Sequence, residues 1–226
     1  MGCEIFQTEV GLMSNLNELI ACKFSQRCAV VDPAFETDRL LREAKQRGWT
    51  ITTVLVTHTH HDHVDGVEAI AKATGATVYV GAGEVESLRR AAPSAKIVGL
   101  QDGETIEVGE LKIASLSTPG HTVAGTSYIV DGNVFTGDTL FIGGCGRTDF
   151  PGGDAPTLWR SLQRLAALPE ETRVYPGHDY GQTPTSTIAW EKTTNPYLLC
   201  KSEEEFVALR TGKNPPRPQN PRKQKS

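Results

Sequence analysis

Two β-sheets packed together, with helices on their outer faces, is the α/β fold class that this sequence predicts. Three observations lead there. Short apolar runs rich in Val, Ile and Thr alternate with amphipathic runs in both halves of the chain. At 226 residues the chain can bury one substantial core, with at most a small appendage. No GxGxxG opens the first helical run and no solenoid-length repeat occurs, which sets aside a dinucleotide-binding sheet and a repeat array.

The elements follow in order. LIACK (19–23) and CAVVDPA (28–34) read as early strands, with SQ as turn material between them. TDRLLREAKQRG follows as a helix: Thr37 can cap it, Leu40, Leu41 and Ala44 share a face, and Gly48 stops it. TTVLVTH (52–58) is a buried strand, VEAIAKATG (67–75) a helix closed by Gly75, TVYV (77–80) a strand, and EVESLRRAA (84–92) a short helix ended by Pro93. The pattern then changes to short strands, KIVGL, ETIEVG, LKIASLSTPG, TSYIVDG and VFTGD, separated by Gly and Asp turns. DAPTLWRSLQRLAAL (154–168) is a helix with Asp154 as cap, Pro156 in its first turn, and Leu158, Leu162 and Leu165 on one face. ETRVYPGHD is a strand and TSTIAWEKTTN a helix, and Ser202 with Glu205 offers a capping box for EEEFVALR. Residues 1–212 thus read as one domain, and residues 213–226, rich in Pro, Lys and Arg, as a flexible basic tail.

Composition narrows the function classes. The formal net charge is −4 and no basic stripe precedes the tail, so no nucleic-acid partner is expected. No apolar run approaches a membrane span, and MGCEIFQTEVG has neither a signal-peptide pattern nor, with Phe6, the myristoylation pattern; no membrane partner is expected. Five cysteines, at 3, 22, 28, 145 and 200, are loosely spaced and fit a reducing, cytoplasmic setting better than a disulfide scaffold.

The stretch 56-VTHTHHDHVDG-66 places four of the six histidines within six residues, directly after a strand. Open α/β folds commonly bind ligands at the carboxyl ends of strands. His58 and His60 are two residues apart, so in extended chain they point the same way, while Asp62 and His63 fall on the turn into the next helix. Imidazole and carboxylate are ligands for zinc and for iron(II). His61, between these candidates, is expected to point away. His121 in TPGHTVAGTS, Asp138 in VFTGDTLF and His178 in RVYPGHDY each follow an apolar strand, as the first cluster does, and folding can bring such strand ends together.

THTHHDH matches the THxHxDH motif of the metallo-β-lactamase superfamily, and the later His, Asp and His match its remaining metal ligands. The resemblance spans roughly residues 10 to 200. It implies an αββα four-layer sandwich of two mixed β-sheets flanked by helices. It also implies two divalent metal ions, zinc and/or iron. His58, His60 and His121 would hold one, Asp62, His63 and His178 the other, with Asp138 between them. A β-lactamase proper would carry Cys at the position of Asp138. GDTLFIGGCGRTDFPGG and PGHDYGQTPTSTIAWEKTTNP instead resemble the glyoxalase II and persulfide dioxygenase branch.

Two chemistries fit one donor set. In the first, a glyoxalase II-like hydrolysis of a glutathione-linked thioester, two metals activate a shared water and Asp62 orients it. In the second, persulfide oxidation, His58, His121 and Asp138 hold a single iron(II), and His60, Asp62, His63 and His178 orient them. The HHDH portion favours the hydrolase. The stretch GCGRTDF and the absence of a following glutathione-binding helical domain favour the dioxygenase. A metal-binding protein without turnover is a third reading. Arg147 is the best local candidate for a substrate carboxylate, unless it pairs with Asp149, and Tyr180 is a candidate for the mouth. Cys145 reads as buried packing. A homodimer is a family-based expectation.

Overall fold

In the computed structural model, which describes residues 2–223, the alternating runs form two six-stranded sheets. The first takes β1 (Cys3–Val10), β2 (Asn15–Cys22), β3 (Arg27–Val31), β4 (Thr50–Val56), β5 (Thr77–Gly81) and β6 (Lys96–Leu100), side by side in that order. The first three are antiparallel neighbours, and β3 to β6 run parallel. Parallel neighbours need crossovers. These are α1 (Thr37–Gln46), the single turn α2 (His61–Val64) with α3 (Val67–Thr74), and α4 (Val85–Ala91).

The second sheet contains β7 (Thr105–Val108), β8 (Leu111–Ser117), β9 (Thr126–Val130) and β10 (Asn133–Gly137). The hairpin β11 (Leu140–Phe141) and β12 (Gly144–Cys145) stands apart from it. Helix α5 (Ala155–Ala166) then crosses over to β13 (Arg173–Pro176), parallel to β10, and β14 (Ser186–Thr187) completes the edge. Helices α6 (Ile188–Thr194) and α7 (Glu203–Thr211) follow.

Strand parity sorts the side chains into three cores. Leu19, Val30, Val54 and Val56 face outward against Leu40, Ile70 and Leu88 of the helices. Their alternate neighbours Ile20, Ala29, Val31 and Leu55 face inward and meet Ile113, Tyr128 and Phe135 of the second sheet. The outer face of that sheet, with Val134 and Val174, packs on Leu158, Leu162, Leu165 and Phe206. Three cores between four layers is the αββα sandwich. The strands read as continuous apolar runs because both of their faces are buried.

Most helix signals behave as the sequence predicts. Asp154 accepts from Thr157 N, and Ser202 accepts from Glu205 N. The return bond of that capping box is displaced by one residue: Glu205 accepts from Lys201 N. Thr37 does not cap α1; Glu36 holds the cap position with φ 55° and no side-chain cap bond, and its carboxylate accepts from Gly11 N instead. Two elements escape the sequence pattern. β1 is a half-exposed edge strand with little alternation. β2 starts at Asn15, four residues before LIACK, and every one of its residues is buried, including Asn15, Asn17 and Glu18.

Over its described part, the tail makes polar contacts with the body of the domain. Tyr197 donates its hydroxyl to Pro216 O, Asn220 donates to Asp179, and Arg222 pairs with Asp179. Four prolines between 215 and 221 restrict the unfolded chain, so ordering this stretch costs less entropy than its composition suggests. The last three residues of the predicted tail lie outside the described residues.

Candidate metal centre

One end of the sandwich collects the carboxyl ends of β4, β8, β10 and β13, and each candidate donor follows one of them. The two sheets are tied together there: Thr126 N donates to Thr57 O, and Leu16 N to Gly177 O. After β4 the chain stays extended through His60 (φ −64°, ψ 146°), so His58 and His60 project together; the turn α2 then brings Asp62 and His63 back towards the same edge.

The donors converge on two points. His60 Nδ1 lies 3.1 Å from His58 Nε2 and 3.0 Å from His121 Nε2. His63 Nε2 lies 3.2 Å from His178 Nε2, and Asp62 Oδ2 is 3.6 Å and 3.4 Å from those two nitrogens. Asp138 stands between the groups: Oδ2 is 3.5 Å from His121 Nε2 and 3.5 Å from His178 Nε2, while Oδ1 is 3.4 Å from His63 Nε2. The structure thus brings all seven sequence candidates together. His61 points away, with its side chain 81% exposed.

The far nitrogen of four imidazoles is already committed. His121 Nδ1 donates to Arg147 O at 2.7 Å and His178 Nδ1 to Met13 O at 3.0 Å. His63 Nδ1 donates to Asp32 Oδ2 at 3.0 Å. Thr57 gives its own hydroxyl proton to Asp32 at 2.6 Å, so its oxygen accepts from His58 Nδ1 at 3.0 Å. These bonds leave Nε2 lone pairs on His58 and His121, both directed at His60 Nδ1, which has at most one proton for the two of them. A cation among the three nitrogens removes that conflict. Zinc–nitrogen bonds of about 2.0–2.1 Å in tetrahedral geometry would set the nitrogens roughly 3.3 Å apart, close to the observed spacing. Asp138 Oδ1, beside His63 Nε2 and buried without a hydrogen-bond partner, is a second unmet acceptor, in the other group. The donor set therefore suits divalent metal ions.

Protons partly occupy this role in the metal-free protein. Burial opposes charge on His178, yet Asp138 and the bond to Asp62 push its pKa up to about 10. His63 is also raised, despite burial, by Asp138 and Asp32. Burial disfavours ionised Asp138 and Asp62, but His178 and His63 hold both carboxyls well below the usual carboxylate range. On the other side, burial keeps His58 well below its ordinary value, and burial with His121 lowers His60. Burial thus favours neutral imidazoles at His58 and His60, while the other side is an ionised network with protons that a dication would displace.

Two residues that sequence reasoning passed over hold this arrangement. Asp32 ends β3 at φ 42° and accepts from Thr57 N, Thr57 Oγ1 and His63 Nδ1. Its oxygens are therefore used in orienting ligands, although Asp32, His58 and His63 also lie close enough to form a donor triplet. Asn15 donates to Asp62 O at 2.9 Å and to Asp62 Oδ2 at 3.1 Å. The available signal for Asp32 was an acid in VVDPA at a strand's carboxyl end, the position shared by the ligands. Asn15 had no comparable signal.

At the mouth, Tyr180 stacks on the His178 ring with centroids 4.6 Å apart and is 37% exposed. Burial and the carboxylates Asp138 and Asp62 raise its phenol, so it is a donor at neutral pH. Arg147 is engaged by Asp149 through two bonds of 2.6 Å, and its guanidinium lies 3.9 Å over the Phe150 ring, whose edge meets His60. Cys145 is buried, which drives its thiol up and makes it a poor nucleophile. No helix among the described residues is long and apolar enough to cross a membrane.

The comparisons with known proteins agree with this geometry. The family model for the metallo-β-lactamase superfamily matches residues 22–178. A probable polyketide biosynthesis zinc-dependent hydrolase, BaeB, from Bacillus velezensis is 32% identical over 204 residues, covering 90% of each chain. A hydroxyacylglutathione hydrolase from Rhodospirillum rubrum is 36% identical over 206 residues, 90% of this chain and 77% of that one. The chain spans about half the length of the β-lactamase hydrolase-like proteins of Xylella fastidiosa and Agrobacterium fabrum that it also matches. The crystal structure of ETHE1 from Myxococcus xanthus superposes with a TM-score of 0.84 at 38% identity, covering 95% of this chain and 93% of that one. With seven donors converging at the joined edge of two sheets, and a family model matching from Cys22 to His178, the chain belongs to the metallo-β-lactamase superfamily, in its glyoxalase II-like and persulfide dioxygenase-like branch.

Proposed function

We propose that this protein is a metal-dependent hydrolase of a thioester, of the glutathione-linked kind, with two divalent ions drawn from zinc and iron. The observation that carries the reading is the presence of two separate donor triplets. His60 Nδ1 meets both His58 and His121 at 3.0–3.1 Å, and Asp62, His63 and His178 form a group of their own. A single ion on His58, His121 and Asp138 would leave three buried donors, Asp62, His63 and His178, and the half-buried His60 without a cation.

Bound divalent ions would lower the pKa of a shared water and polarise the thioester carbonyl. The protein residues supply the rest. Asn15 fixes Asp62 through Oδ2, leaving Oδ1 to accept a hydrogen bond from the attacking water and orient it. Tyr180 offers a phenolic donor at the mouth, and Arg147, held by Asp149, braces Phe150 as a wall for the thiol portion. Two relatives, a probable zinc-dependent hydrolase and a hydroxyacylglutathione hydrolase, support the same class.

The ETHE1 likeness supports a second reading, a glutathione persulfide dioxygenase with one iron(II) on His58, His121 and Asp138. Anaerobic purification with metal counting separates the two. The proposal expects two metals per chain and hydrolysis of S-lactoylglutathione. One iron per chain with oxygen uptake on glutathione persulfide, and no thioester hydrolysis, overturns it. Two metals without turnover on either substrate would leave a metal-binding protein.

A further inference from the structure

We infer that the proline-rich C-terminal segment is a strap that positions the second metal triplet, with Asp179 as its latch. The inference rests on Asp62, His63 and His178 being metal donors.

Asp179 follows the ligand His178 directly and is 4% exposed. Its oxygens take hydrogen bonds and ion pairs from three tail residues. Oδ1 accepts from Arg222 Nη2, and Oδ2 accepts from Asn220 Nδ2 at 3.1 Å and lies 3.4 Å from Lys223 Nζ. The tail also holds the backbone on either side: Asn220 donates to Asp179 O at 2.8 Å and Arg222 to Gly181 O at 3.3 Å. Among the described residues, the cations paired with this buried carboxylate, Arg222 and Lys223, come from beyond residue 220. A carboxylate so placed is costly to leave unpaired, so the loop carrying His178 and Tyr180 and the tail stabilise each other.

The strap reaches two more segments beside the donors. Lys223 pairs with Glu9 at the end of β1, beside the turn whose Met13 O receives His178 Nδ1 and whose Ser14 O receives Asp179 N. Upstream, Pro218 packs so closely on Gly144 that an added Cβ would come within 2.5 Å of its ring. Gly144 belongs to the hairpin that follows Asp138. Between its anchors the chain spans a cleft of about 410 Å3 bordered by Ile142, Trp190 and Pro196. Asn220 shapes the terminal anchor locally, accepting from Arg222 N at 3.0 Å to make a turn. The prolines keep the span stiff, which makes such anchoring effective over a long reach.

Metal ligands respond to the groups that orient them: losing one such partner commonly costs 10- to 100-fold in affinity. The test is cobalt(II) titration of the metal-free full chain, reading absorption and chelator competition for each of two binding events. Arg222→Ala and Asn220→Ala should weaken one event about 10-fold and leave the other unchanged, with the metal-free Tm within a few degrees of wild type. Arg222→Lys, which keeps the charge, should recover part of the loss. Unchanged affinities for both events overturn the strap. So does an equal fall in both together with a large fall in metal-free Tm, which would mark general destabilisation. If the unaltered chain binds no cobalt, the metal reading and the strap fall together; if the unaltered chain binds two and the variants match it, only the strap fails.

Discussion

Asp32→Asn is the sharpest test of how the centre is held. The wild-type carboxylate receives three donors: Thr57 N at 2.7 Å, Thr57 Oγ1 at 2.6 Å and His63 Nδ1 at 3.0 Å. An amide in its place keeps an acceptor for Thr57 N but turns an NH2 towards the hydroxyl and the imidazole. His63 must then carry its proton on Nε2, the atom that faces Asp138 and His178. Metal binding there requires that proton to leave and one charge-assisted hydrogen bond, worth about 1.5–3 kcal/mol, to be forgone. The expected loss is about 10- to 100-fold in affinity for one of two ions. The backbone adds no penalty, because Asn tolerates the left-handed φ of 42° at this position. Asp32→Ala is a poorer probe: three buried donors would lose their acceptor at about 1–3 kcal/mol each, a large share of a domain's stability. The assay is zinc titration against a chromophoric chelator, with thermal unfolding of the metal-free protein alongside. Both affinities staying within about threefold of wild type, while the fold is intact, would refute the argument that Asp32 sets the His63 tautomer.

Other perturbations read other parts of the centre. In Gly146→Ala the new Cβ would sit 1.9 Å from Asp138 O and 3.0 Å from the His121 ring, so turnover should fall by about 100-fold or more with reduced metal content; a fully loaded, active variant would show that this loop yields freely. Arg147→Ala removes an exposed ion pair, so stability should change by about 0.5 kcal/mol or less and metal content not at all. KM should rise severalfold as Phe150 loses its brace, and a large fall in kcat with KM unchanged would place Arg147 in the chemistry instead. For metal-free protein, His178 is raised to about 10 against an unfolded value near 6.5, so its stabilisation is complete below about pH 6.5 and is lost as the pH rises through 10. Urea unfolding of chelator-treated protein should lose a few kcal/mol, at most roughly 5, across that window, whereas metal affinity should rise as the proton leaves; flat stability from pH 6 to pH 10 would contradict the network.

Periodicity and donor chemistry were legible in the sequence itself. The paired apolar faces of β3 and β4, the Asp154 cap and the stripe of Leu158, Leu162 and Leu165 are local facts, set by neighbours within a turn or a strand. The seven donors were legible for a related reason: imidazole and carboxylate at successive strand ends are a chemical signal that survives without geometry. What folding alone decided lies in long-range polar pairing. Asn15 carried no sequence signal and is a buried support for Asp62, 47 residues away. Asp32 serves His63 across 31 residues, and Asp179 is satisfied by Arg222 across 43. Arg147 could have faced a substrate, and in the fold its guanidinium is engaged by Asp149. The physical reason is that a buried polar group must find a partner, and which partner it finds depends on how distant segments are packed, about which local periodicity carries no information.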